Sequence, residues 1–294
     1  MNKAVAFAPG HISGFFQPII NKIDVNKTGS RGAGVCISHG ATSTVHLKKD
    51  DKQHVDIIVN GKPAEYTVTQ KAIKIILGKT TFNVLVNVRL DLPVGQGFGM
   101  SAASALSASL ALTKILGKPQ KNAIKAAHQA EVIHHTGLGD VAASSIGGFE
   151  IREKPGIPPF GKIHKITEDH PLILGVLPGS ISTHDVLTDT NKVETIARIG
   201  KECTNSVMHN PTVNSIFDYS IYFTKKTNLA SEQLRLILQK INETDQASMC
   251  MLGHSLFAQG KVHRIKKQIP SAVTIIETDV DNLGARVLNY ASNS

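Results

Sequence analysis

Residues 92–116, L-P-V-G-Q-G-F-G-M-S-A-A-S-A-L-S-A-S-L-A-L-T-K-I-L, constrain the fold of this chain more than any other stretch. Gly95, Gly97 and Gly99 at alternate positions let the backbone adopt positive φ and let a ligand approach with no Cβ in the way. Ala, Ser and Leu then dominate as far as Leu116, and Gly117 and Pro119 follow in the order that ends a helix. Ser101 falls at an N-cap or in a first helical turn. The spacing therefore predicts a glycine loop that opens an α-helix, with free N–H groups and the positive end of the macrodipole facing the loop, which suits a phosphate. An alanine-rich buried helix after an ordinary glycine turn is the other structure that this composition allows.

The flanking patterns supply a strand before the loop and a second helix after it. In F-N-V-L-V-N-V-R-L, residues 82–90, alternation puts Phe82, Val84, Val86, Val88 and Leu90 on one face. A helix is predicted over residues 119–135, with Pro119 in its first turn. Nearer the N-terminus, a short strand over residues 3–8 runs into a Pro-Gly loop, A-P-G-H-I-S-G-F-F, and G-S-R-G-A-G at residues 29–34 leads into another strand. Residues 41–69 read as β-structure with a hairpin turn at Asn60-Gly61, followed by a short helix over 70–77. The Pro- and Gly-dense segment 155–161 divides the chain into halves, 1–155 and 156–294. Strands at 171–178 and 272–277 and helices at 193–203, 212–224, 231–241 and 282–288 are predicted in the second half.

Several chemistries fail on their spacing. Gly78-Lys79-Thr80 imitates a P-loop, but Ile73 stands where that loop needs its first glycine. The dinucleotide-binding fingerprint needs a third glycine where the chain has Ala102. His128, His134 and His135 lack both H-E-x-x-H spacing and a Cys partner, so no zinc site is expected. A net charge of +9 raises the question of nucleic acid, yet Lys and Arg are scattered, aromatic residues make up 5% and Trp is absent, so few stacking platforms exist and no nucleic-acid role is expected. Cys36, Cys203 and Cys250 form no C-x-x-C pair and read as buried small hydrophobes. With no apolar run of membrane-spanning length and no apolar signal segment, the chain is expected to be cytoplasmic, without a membrane partner.

The pattern P-x-G-x-G-x-G-x-S-A-A between a strand and a helix resembles the phosphate loop of the GHMP kinases, P-x-x-G-L-G-S-S-A-A, with Phe98 for the Leu and Met100 for the first Ser. That resemblance implies an α+β, two-domain fold, its N-terminal half ribosomal-protein-S5-like and its C-terminal half ferredoxin-like. It assigns Pro93, Gly95, Gly97, Gly99, Ser101, Ala102 and Ala103 to the nucleotide phosphates, and Ser101 and Glu131 to Mg²⁺. Asp140, in G-L-G-D-V-A-A-S-S, matches the family's catalytic Asp and is the expected base. Four blocks, A-P-G-H-I-S-G-F-F, G-S-R-G-A-G, H-T-G-L-G-D-V and A-S-M-C-M-L-G-H-S-L-F-A, together look like one archaeal branch of the family. For that branch the resemblance implies ATP-dependent phosphorylation of the 4-hydroxyl of (R)-pantoate on the route to coenzyme A. Family members acting on mevalonate and galactose carry Lys or Arg after the first Pro-Gly, whereas this chain has His11, whose charge varies near neutral pH. His11, Ser13 and Arg31 are therefore expected to contact the acceptor, with Arg31 as the bidentate carboxylate clamp. Phosphorylation of mevalonate, shikimate or homoserine, and a non-catalytic nucleotide-binding regulator, remain open on sequence alone, as does a homodimer.

Overall fold

A computed structural model of the chain describes residues 2–179 and 190–291. Its spine is a long antiparallel hairpin of β1 (Asn2–Ile19) and β2 (Gly29–Lys49). The Pro9-Gly10 step does not end the first strand as the sequence predicts. It makes a bulge, where the β1–β2 register shifts, and Pro9 is tolerated there because a bulge needs no ladder N–H. Beyond it the strand continues through His11 and Ser13, so these residues lie on a rigid element and not in a loop.

The larger sheet adds β5 (Phe82–Leu90), β3 (His54–Val59) and β4 (Lys62–Pro63) on one side of the hairpin and β12 (Arg286–Ala291) on the other. β6 (Phe149–Lys154) pairs with the first part of β2, and β7 (Lys162–Ile166) pairs with β6. Segment 155–161 is thus the connection within one hairpin, and β7 and β12 bring residues beyond 156 into the larger sheet. The Asn60-Gly61 turn forms as expected, with φ of 47° and 81°.

Two predicted elements change type. Helix α1 (Thr67–Leu77) begins inside the segment read as strand, because Val68, Thr69, Ala72, Ile73, Ile76 and Leu77 form one buried helical stripe that outweighs the β-branched residues of its first turn. Residues 282–288 are not a helix. Asp281 accepts hydrogen bonds from the N–H groups of Leu283 and Gly284 and from the Arg286 guanidinium, which closes a turn and sends the chain into β12 beside β1.

Helix α2 (Met100–Ile115) lies against β1 and β2 and packs on both α1 and α3 (Gln120–His134), which also pack on each other, so it is buried on nearly all sides. Two of its buried serines are satisfied there: the Ser104 hydroxyl donates back to Ser101 O at 2.9 Å and Ser107 bonds Ser43 at 2.8 Å, while the Ser109 hydroxyl is buried without a partner. Helix α4 (Asp140–Ser144) leads into β6, and after β7 comes the second sheet, in the order β11 (Thr274–Asp279), β8 (Pro171–Val176), β10 (Ser255–Gln259), β9 (Gln246–Met249). Helices α5 (Thr190–His209), α6 (Val213–Thr227), α7 (Glu232–Ile241) and α8 (Val262–Gln268) complete this half. Among the described residues no helix is long and apolar enough to cross a membrane.

Candidate active site

The glycine loop is held from three directions. His11 N–H donates to Phe98 O at 3.0 Å, the Ser255 hydroxyl donates to Gln96 O, and Gln96 Nε2 donates to Gly179 O at 2.7 Å. Gly99, with φ of 64°, is the N-cap of α2 and offers no capping side chain. Because Ala103 N–H already bonds Gly99 O, the N–H groups of Met100, Ser101 and Ala102 are the ones left for a ligand. Ala102 and Ala103 are fully buried beneath the loop, while Pro93 and Gly95 are exposed at its rim. Met100 is buried, and its Cε lies 2.9 Å from where a Cβ on Gly10 would sit. The side chain at this position therefore packs into the core, so Ser101 alone supplies a hydroxyl here.

Ser101 Oγ donates to Glu131 Oε1 at 2.7 Å, and Thr136 Oγ1 donates to the same oxygen at 2.8 Å. A Cβ on Gly137 would fall 2.0 Å from Glu131 Oε2 and 2.9 Å from Asp140 Oδ2, so both acids border one point of the loop between α3 and α4. Glu131 is 2% exposed. Burial and the Asp140 charge push its carboxyl up to about 7, against the hydrogen bonds from Ser101 and Thr136. An acid so raised is held protonated by the fold, and ionising it opposes folding. The ligand-free protein is thus expected to lose stability, on the order of 3 kcal/mol from this group, as pH rises from 4.5 through about 7. Urea unfolding across that range, compared with Glu131→Gln, checks this; an unchanged slope in the variant would count against it.

Asp140 opens α4, and its side chain is 24% exposed. Burial would raise its carboxyl, but the hydrogen bond from His11 and the charges of His11 and Arg152 outweigh burial and hold it below the usual range. His11 is fully buried; its Nδ1 donates to Asp140 Oδ1 at 2.7 Å, and its Nε2 lies 3.0 Å from Glu150 Oε1. Burial alone would lower the imidazole, yet the bonds to Asp140 and Glu150 and their charges raise it above 6.5. Arg152 pairs with the same Glu150 oxygen and donates to Ser13 Oγ at 3.1 Å.

The expected site residues thus separate into two groups. Ser101, Glu131, Asp140, His11 and Ser13 come together around the loop. Arg31 does not join them. On β2, Ser30, Gly32 and Gly34 face Gly139, Arg152 and His11, and the strand's alternation turns Arg31 to the opposite face. There its guanidinium is bound by Glu153 O, Gln17 and Asn205. The guanidinium on the site face is that of Arg152, and Glu150 accompanies it; sequence reasoning missed both. Their one signal was the run F-E-I-R after two glycines, which reads equally well as a strand with a solvated charged face. His128 bonds Val25 O, and no group of three or more His, Cys, Asp or Glu side chains suited to a metal occurs among the described residues.

Comparison with known proteins agrees with this geometry. The family described as GHMP kinases N terminal domain matches residues 67–148, which contain the glycine loop, Glu131 and Asp140. The chain is 34% identical over 273 residues to a pantoate kinase of Methanospirillum hungatei, covering 89% of each chain. It is 32% identical over 276 residues to a pantoate kinase of Methanocaldococcus jannaschii, covering 93% of this chain and 97% of the other. A solved structure of a phosphotransferase related to the coenzyme A biosynthesis pathway superposes with a TM-score of 0.88 at 28% identity over 98% of both chains.

Proposed function

This chain belongs to the pantoate kinases of the GHMP kinase family, and from that premise we propose that it transfers the γ-phosphoryl group of ATP to the 4-hydroxyl of (R)-pantoate in coenzyme A biosynthesis. The observation that carries the reading is a part-exposed Asp140 carboxylate fixed by His11 beside the N-terminus of α2, where the glycine loop opens that helix.

The N–H groups of Met100, Ser101 and Ala102 bind the donor phosphates. Asp140 faces the acceptor, accepts a hydrogen bond from its hydroxyl and takes that proton as the new O–P bond forms and the bond from the γ-phosphorus to the bridging oxygen of ADP breaks. A carboxylate held below its usual range is a weak base towards a free alcohol, so it removes the proton late, once bond formation has acidified the oxygen; its larger service is orientation. Ser13, half-buried and tied to Arg152, lines the acceptor side with His11 behind it.

Mg²⁺ fits the residues present. Glu131 is buried beside a second acid with its carboxyl raised to about 7, an arrangement that a divalent cation would relieve. Ser101 and Glu131 would hold the ion, whose bound form neutralises charge on the β- and γ-phosphates. The half over 1–155 carries the phosphate loop, and the half over 156–294 closes on it through Gly179 and Ser255. Three buried free thiols support a cytoplasmic setting.

ADP release from ATP and Mg²⁺ with pantoate, mevalonate, homoserine or shikimate tests the proposal. Pantoate is expected to exceed the others in kcat/KM by about 10²-fold or more, the discrimination available to a site that must pair each polar group of its substrate. Preference for another acceptor overturns the substrate, and release with none of them overturns catalysis in favour of a nucleotide-binding regulator.

A further inference from the structure

Glu150 and Arg152 are the two charged side chains of the site that the transfer just described does not use. Both are buried, at 0% and 1% exposure, on β6, the strand that pairs with β2 and β7. We propose that Glu150 is a positioning residue for phosphoryl transfer: acting through His11, it holds the Asp140 carboxylate fixed towards the acceptor. The inference rests on the kinase reading of the site and adds a residue to it.

The geometry is a four-member chain running from Asp140 through His11 and Glu150 to Arg152. His11 Nδ1 reaches Asp140 Oδ1 at 2.7 Å and Nε2 reaches Glu150 Oε1 at 3.0 Å, so a doubly protonated imidazole donates once to each carboxylate. Arg152 closes the far end on the same Glu150 oxygen, so that two cations alternate with two anions. Glu150 Oε2 is buried with no hydrogen-bond partner, so the carboxylate makes its contacts through Oε1, to His11 and Arg152, and not through its own solvation.

The backbone is shaped around this chain. A Cβ on Gly34 would fall 2.7 Å from His11 Nε2 and 3.1 Å from Glu150 Oε1, and one on Gly32 would fall 3.0 Å from an Arg152 nitrogen. Gly32 and Gly34 therefore make a flat bed on β2 for buried charges carried by β1 and β6.

The groups facing His11 are Asp140 from α4, Glu150 and Arg152 from β6, and Cys36, its register partner on β2, whose thiol burial keeps protonated. If the imidazole loses one proton, a single N–H must serve two carboxylates, and Nε2 can instead accept from Arg152 Nη1 at 3.2 Å. Asp140 then no longer has its donor at all times. Removing the Glu150 charge favours that deprotonated imidazole.

The test compares wild-type protein with Glu150→Gln, which keeps shape and hydrogen-bonding atoms. Turnover is followed by ADP release against pH, with whichever acceptor the wild type prefers, so failure of the pantoate assignment changes the acceptor and leaves this comparison intact. We expect kcat to fall about tenfold to hundredfold, the ATP KM to stay within about twofold, and the alkaline limb of kcat to move down by about one pH unit. Glu150→Asp, which restores the charge, should recover part of kcat and the position of the limb. An unmoved alkaline limb, or equal losses in kcat and ATP KM, would overturn the proposal. Should neither variant fold, the wild-type imidazole signal of His11, assigned by its absence in His11→Asn, decides: titration above 6.5 supports the proposal and titration at or below 6.5 overturns it.

Discussion

Replacing Asp140 by Asn lowers kcat by about 10²-fold or more, the scale of losing a general base, while the ATP KM stays within about threefold. The two parameters separate because they draw on different atoms. Donor binding rests on the N–H groups that open α2 and on Ser101 and Glu131, and an isosteric amide in place of the Asp140 carboxylate leaves the shape of all of them unaltered. Acceptor activation rests on one carboxylate, and an amide can neither take the proton nor present the same charge to the imidazole. His11 keeps Glu150 as its other anion, so the variant should fold. Loss of the Asp140 charge also removes one of the two causes that raise Glu131, whose carboxyl then falls towards 4.5. Steady-state kinetics measures the first effect and the urea-unfolding pH profile the second. Turnover within threefold of wild type would show that Asp140 is not the base.

What could be read from sequence follows the range of the interactions. Residues 92–116 announced themselves because loop, cap and helix are contiguous, and the loop's φ values of 78°, 76° and 64° at Gly95, Gly97 and Gly99 are a local demand on the backbone. Ser101, Glu131 and Asp140 were singled out because resemblance supplied a three-dimensional pattern that spacing alone does not contain, and the fold brings them together. Arg31 shows the limit: it sits in the right block, but strand parity turned it away, and no local signal tells which face of a glycine-rich strand meets the site. Glu150 and Arg152 were hidden for the converse reason. Alternating charge on a strand is the usual mark of a solvated face, and only the pairing of β6 with β2 reveals that this face is covered. The misassigned segment at 67–69 shares that cause, since burial of the helical stripe decides against a short-range preference, whereas at 282–288 the decision is local, a turn closed by the Asp281 carboxylate.

Arg152→Met is expected to destabilise the protein by about 3–5 kcal/mol, because it leaves Glu150 buried without its guanidinium. For a chain of this size the change corresponds to a fall in Tm on the order of 10 °C. His11 offsets part of the loss, but its charge is already shared with Asp140. The companion double variant, Glu150→Leu with Arg152→Met, should lie closer to wild type in stability than Arg152→Met alone, since no uncompensated buried carboxylate is left, although the attractions of Glu150 to both Arg152 and His11 are lost. Its kcat should nonetheless remain low, because His11 has lost the anion that holds it towards Asp140. Urea unfolding of the single and double variants, run beside ADP-release assays on the same preparations, separates the two roles. A single variant that costs less than about 1 kcal/mol would mean that the charge chain contributes little to folding, and a double variant that regains wild-type turnover would show that Asp140 needs no support from β6.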